Sequence, residues 1–122
     1  MSTFKCIEEI DTWKEAVELA IEMYQITNSD KFKYDFTLKD QMRRSSLSIS
    51  SNIAEGFERE TQKEFIRFLF FAKGSCGELR SQLYISQRIG YISKEDYDSF
   101  NTICKTLSSK IQSLINYLKS LK

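Results

Sequence analysis

The densest run of chemically capable side chains is Gln41-Met-Arg-Arg-Ser-Ser-Leu-Ser-Ile-Ser-Ser-Asn-Ile-Ala-Glu-Gly56. It joins two adjacent arginines to five serines, an asparagine and a glutamate. The chemistry open to it is narrowed by the absence of histidine from the whole chain. Without histidine there is no Ser-His-Asp or Cys-His nucleophile, and the commonest general base is missing. Most catalytic zinc sites and the inward Glu-x-x-His pairs of di-iron bundles are missing with it. No Walker or dinucleotide glycine motif occurs. Gly74-x-x-Gly77 matches the GXXG loop of single-strand RNA-binding domains only in letters, because it falls inside a helical pattern without flanking strands. Close helix packing accounts for it better. The carboxylates sit mostly at helix starts and on polar faces, where solvation is the simpler reading than a paired-carboxylate site. No catalytic residue, metal or cofactor is expected.

The arginines carry two readings. One is phosphate contact, with Arg43 and Arg44 joined by Arg59, Lys63, Arg67 and Lys73 along one helical hairpin. The other is pairing across the bundle, with Glu55 and Glu78 as partners, while the second arginine is solvated. Adjacent helical residues point about 100° apart, so the two arginines should differ in role. Arg44, nearer the core stripe, is expected to be the structural one, and Arg43 stays open. Asn52 and Glu55 lie near the same stripe and, if buried, must be hydrogen-bonded. The serines at 45, 46, 48, 50 and 51 are too small to fill a core and suit close helix approach.

Four helices must position these groups, over about 12–28, 38–57, 62–90 and 94–121. Each opens on a Ser or Thr followed three residues later by an acid: Thr12 and Glu15, Thr37 and Asp40, Thr61 and Glu64, Ser93 and Asp96. This is the spacing of the capping box. Trp13, Val17, Ala20 and Tyr24 are the expected inward row of the first helix. Met42, Ser45, Ile49 and Ile53 mark the second, which Gly56 should end. The third carries a heptad seam through Phe65, Leu69, Ala72, Cys76, Leu79 and Leu83. Phe68, Phe70 and Phe71 add apolar surface beyond that seam, which implies a second cover, and they are the expected oligomer interface. Gly74 and Gly77 predict a neighbouring backbone close by. The fourth helix has the cleanest seam, from Tyr97 through Cys104 and Ile111 to Leu118. Short links between four amphipathic helices predict an all-α, up-down-up-down antiparallel four-helix bundle, with residues 1–122 forming one domain.

The composition agrees. Proline is absent, there are four glycines, and 29% of residues are charged, within the range of folded chains. The net charge of +1 gives no strong overall pull toward polyanions, although the first thirty-five residues are acidic and the rest leans basic. The N-terminus has no apolar signal core, and no stretch reaches membrane-spanning length. Three widely spaced cysteines, Cys6, Cys76 and Cys104, define neither a disulfide framework nor a zinc site, so a cytoplasmic location with no membrane partner is expected.

Gln41-x-Arg43-Arg44, Ser48-Ile49-x-x-Asn52-Ile53-Ala54-Glu55-Gly56, Phe65-x-x-Phe68-Leu69-x-x-Ala72-x-Gly74-Ser75-x-x-Glu78-Leu79 and Gly90-Tyr91 resemble the bacterial four helix bundle protein family. Its members are also described as proteins of ribosomal RNA intervening sequences or as ribosomal-protein-like. The resemblance covers nearly the whole chain. It implies a ring-like homo-oligomer, a pentamer, and a relation to the accessory variability protein of diversity-generating retroelements, a basic pentamer that binds nucleic acid and a reverse transcriptase. The chain departs from the family pattern by lacking a proline between the first two helices and by placing Ser45 and Ser46 where alanines are usual. Ser48, Asn52, Glu55, Gly56, Gly74 and Glu78 are its motif residues here. The expected function is a non-enzymatic homo-oligomeric scaffold or binding module, associated with RNA or a nucleic-acid-processing protein. The alternatives are direct nucleic-acid binding through the basic hairpin and, more remotely, a carboxylate-based enzyme.

Overall fold

A computed structural model describes residues 4–121, so residues 1–3 and 122 of the expected domain lie outside the described residues. Four helices run in order: α1, Asp11–Ile26; α2, Phe36–Glu58; α3, Gln62–Arg88; and α4, Lys94–Ser120. Two single 3-10 turns, Ile7–Glu9 and Asp30–Phe32, precede α1 and α2. No strand occurs among the described residues. The fold is an all-α, up-down-up-down antiparallel bundle in which α2 and α3 share the most extensive contact and α1 meets α4 least.

Two of the four expected caps form. Thr61 accepts the backbone N–H of Glu64 at 3.1 Å, and Ser93 accepts that of Asp96 at 3.0 Å. Each satisfies one orphan donor of the first turn. The other two differ. α2 starts earlier and is capped by Asp35, whose carboxylate accepts the Leu38 N–H at 3.1 Å. α1 follows Ile10, which has no capping side chain, and Thr12 is buried inside the first turn instead of preceding it. Capping spacing recurs by chance wherever hydroxyls and acids are common, and the tertiary burial of Ile10 decides where α1 begins.

One apolar cluster draws on all four helices, with Ile49 and Ile53 of α2, Leu69, Leu79 and Leu83 of α3, and Leu107, Ile111 and Ile115 of α4 at its centre. α1 contributes Ala16, Leu19, Ala20 and Met23. The expected row of Trp13, Val17 and Tyr24 is rotated toward the surface. α1 carries two apolar rows, and periodicity alone cannot choose which faces inward.

The glycines also exchange roles. Gly56 does not end α2; it lies inside the helix, where an added Cβ would meet Phe68 Cβ at 2.8 Å and the Phe65 carbonyl oxygen at 3.2 Å. The close approach expected at Gly74 and Gly77 is not present within the chain, since a Cβ at either would meet nothing within 4 Å. Both face outward from α3. Gly90 stops α3 at φ +83°, with Tyr91 N–H bonding Ser86 O at 2.8 Å and Gly90 N–H bonding Gln87 O at 3.1 Å. These are the two bonds of a Schellman end. That turn is tied to the α1–α2 link by Lys31, which donates to Gly90 O at 2.9 Å, and by Tyr91.

Candidate interaction surfaces

Arg43 stands over the last turn of α1, where backbone carbonyls lack helical partners. Its Nε donates to Thr27 Oγ1 at 2.8 Å, a second nitrogen reaches Tyr24 O at 3.5 Å, and the guanidinium lies 4.5 Å from the Tyr24 ring centre. Arg44 is exposed and forms no ion pair or hydrogen bond among the described residues. The expected roles are therefore reversed, because the residue facing α1 is 43.

The remaining cations gather elsewhere. Arg59 pairs with Glu55 at 3.2 Å and lies 4.8 Å from the Phe68 ring centre. Arg67 pairs with Glu64 at 3.3 Å and sits 5.1 Å from the Phe68 ring and 5.2 Å from the Phe71 ring. Lys63 is exposed beside them on the first turn of α3. Lys73 turns toward α4, donating to Gln112 at 2.6 Å, and shares the Phe70 ring with Lys119. Fifteen residues of α2 separate Arg44 from Arg59, about 22 Å of helix. The six basic residues thus form no single patch. Three of them surround the α2–α3 turn, one lies between α3 and α4, and two lie at the far end of α2.

The motif residues of α2 sit along its junction with α3. Ser48 Oγ accepts from Ser75 Oγ at 2.9 Å across the helices and from the Asn52 amide at 2.9 Å. Asn52 also donates to Ser48 O at 2.8 Å, so it is satisfied inside its own helix and reaches α3 only through Ser48. Glu55 is exposed rather than buried, and Glu78 is exposed without an ion pair among the described residues. Ser45, Ser46 and Ser50 are buried, and Ser46 and Ser50 return their hydroxyls to carbonyls three residues back.

Two surfaces stand out beyond these expectations. Along the outside of α3, Phe70, Gly74, Gly77, Ser81 and Tyr84 repeat the four-three spacing of the buried seam, and all five are exposed. The row forms a ridge with an aromatic ring at each end and a side-chain-poor middle. Arg67 and Arg88 extend it at the same spacing. The repeat was present in the sequence, but the buried seam on the same helix masked it. On the other side of the bundle, α1 and α2 enclose an open trough of about 570 Å³. Val17, Ile21 and Tyr24 form one wall, and Arg43, Leu47 and Ser50 form the other. Ile21 is 46% exposed and Leu47 42%.

Burial holds the two core thiols protonated. Desolvation pushes Cys76 up to about 11 and Cys104 up to about 12, against opposing cations such as Arg80. No group of three or more His, Cys, Asp or Glu among the described residues could hold a metal. No helix of the described residues is long and apolar enough to cross a membrane.

No curated protein matches the chain. A solved structure of a protein with unknown function, from the S23 ribosomal protein family of Bacteroides thetaiotaomicron, superimposes with a TM-score of 0.77 at 24% identity. The alignment covers 85% of this chain and 97% of that one, a likeness of fold. The family model described as 23S rRNA-intervening sequence protein matches residues 8–113, and the chain belongs to that family.

Proposed function

We propose that this chain is a non-enzymatic helical scaffold that works as a ring-like homo-oligomer, a pentamer by family resemblance, and associates with RNA or a ribonucleoprotein. The observation that carries the reading is the exposed ridge of α3. Phe70 is 43% exposed and Phe71 48%, and two open glycines lie beside them inside a 27-residue helix. Each glycine costs about 1 kcal/mol relative to alanine in a helix, and nothing within the chain returns that cost. Large exposed rings next to small residues are what a covered helix face looks like before its cover is added. The family's connection with 23S ribosomal RNA genes supports RNA or a ribonucleoprotein as the wider context. The three cysteines are all free, which suits a reducing cytoplasm. Light scattering behind a sizing column tests the reading: a multiple of the chain mass is expected at micromolar concentration, and a monomer there overturns it.

A second reading is direct nucleic-acid binding at the α2–α3 turn. Arg59 and Arg67 flank Phe68, and Arg67 also covers Phe71, a stacking surface with cations beside it. Affinity for single-stranded RNA should then fall roughly tenfold or more between 50 and 200 mM salt. An affinity indifferent to salt, or unchanged in the Arg59→Ala, Arg67→Ala double variant, removes this reading.

A further inference from the structure

We infer that the α3 ridge of one copy lies in the α1–α2 trough of the next, so that the two unpartnered apolar faces of each chain cover one another head to tail. The inference rests on the homo-oligomer reading above and adds which surfaces meet.

Shape favours the pairing. The ridge from Phe70 to Tyr84 spans fourteen residues, about 21 Å of helix. Its middle, Gly74, Gly77 and Ser81, projects almost no side chain. Helix axes pack 8–10 Å apart according to the side chains between them, so a glycine-lined helix can settle deeply between two others. The trough supplies those two. Val17, Ile21 and Tyr24 on α1, with Leu47 on α2, present apolar side chains to the space a third helix would fill. The ring of Phe70 or Tyr84 would leave water at either end.

Charge selects the trough over a second ridge. Cations lie at both ends of the ridge, Lys63 and Arg67 before Phe70 and Arg88 after Tyr84. A ridge-to-ridge dimer would bring cation against cation whether the helices ran parallel or antiparallel, a repulsive arrangement. The α2 wall of the trough ends instead in carboxylates. Asp40 lies on the same face as Leu47 at one end and Glu58 at the other, both exposed and neither in an ion pair among the described residues. Eighteen residues separate them, about 27 Å, comparable to the spacing from Arg67 to Arg88. Opposite charges at both ends set register as well as attraction.

A contact between two different faces of identical chains is heterologous, and it closes into a ring where the rotation permits. This makes it separable by complementation. Ile21→Arg blocks the trough and leaves the ridge intact; Gly77→Arg blocks the ridge and leaves the trough intact. Both positions are exposed and have room for the new side chain, and far-UV circular dichroism with thermal melting checks that each variant folds. Ile21→Gln and Ser81→Arg replace any that does not. By light scattering, the wild type should be assembled, each variant alone should be monomeric, and an equimolar mixture should form dimers of one chain of each kind. A monomeric wild type overturns the oligomer reading and this inference with it. An assembled wild type overturns only the face pairing if Ile21→Arg stays assembled, if Gly77→Arg stays assembled, or if the mixture stays monomeric.

Discussion

Gly56 on α2 faces Phe68 on α3 so closely that a Cβ on the glycine would stand 2.8 Å from the Cβ of the phenylalanine. Both atoms are fixed to backbone, and the Phe65 carbonyl oxygen, 3.2 Å away, is backbone too. No rotamer change relieves the clash, so α2 and α3 would have to separate. Gly56→Ala should therefore destabilise the fold by about 1–3 kcal/mol, the range of overpacked cores. Gly74→Ala should act in the opposite direction. On the assembly-blocked Ile21→Arg background it should gain up to about 1 kcal/mol from helix propensity alone. Urea denaturation of the two variants checks both signs, and a stabilised Gly56→Ala would contradict the geometry.

The turn joining α3 to α4 is held by a hydroxyl. Tyr91 donates to Asp35 Oδ2 at 3.0 Å while the other oxygen of that carboxylate caps α2, and the Tyr91 ring meets Phe32 edge-on at 5.0 Å. The bond to Asp35 raises the Tyr91 pKa above its ordinary 10.0, with desolvation and the carboxylate charge acting in the same direction. The folded state thus favours the protonated phenol. Its contribution is fully present below pH 10 and is lost as pH rises through the raised value. Absorbance titration should show one tyrosine ionising late, and Tyr91→Phe should remove it. Asp35→Ala, which loses the cap as well, should cost about 1 kcal/mol from the cap alone at neutral pH.

The bundle was legible in the sequence because its signals are redundant. The seams of α3 and α4, Gly90 and the caps at Thr61 and Ser93 all point to the same four helices. Where only one kind of signal was present, it misled. The apolar row at Val17 and Tyr24 was as regular as the row at Ala16, Leu19 and Met23, and the difference lies in what α2 and α4 offer to each. Glycine in a helical pattern announces that a side chain is unwanted, without saying whether the reason lies inside the chain or outside it. Gly56 belongs to the first kind, and the open faces of Gly74 and Gly77 raise the second. The arginine pair was read one residue out of phase, because the position of Arg43 depends on where the α1 C-terminus ends in space.

Thiol reactivity provides a check on the core. Cys76 and Cys104 are buried with their pKa values pushed up to about 11 and about 12, whereas Cys6 is exposed. A thiol-specific disulfide reagent at pH 7.5 should modify one cysteine per folded chain and all three once the chain is denatured. Since the folded state raises both values above the ordinary 9.0, it favours the protonated thiols. Their contribution to stability is full below pH 9 and declines as pH climbs toward 11 and 12. Rapid modification of two or three cysteines in the native protein would show that α3 and α4 separate more easily than their contact implies.

The two adjacent arginines separate stability from partner contact. Arg43 donates a charged hydrogen bond to Thr27 and covers the Tyr24 ring, both half-exposed interactions with screened energies. Arg43→Ala should therefore cost about 1 kcal/mol, and Arg43→Lys should recover little of it because an ammonium cannot keep the planar contact with both groups. Arg44→Ala should change stability by less than about 0.5 kcal/mol, as expected for an exposed side chain without a partner. Paired melts at low and high salt decide between these outcomes. If Arg44→Ala were the destabilising change, the rotation of α2 against α1 would have to differ from the one seen, and with it the wall of the trough.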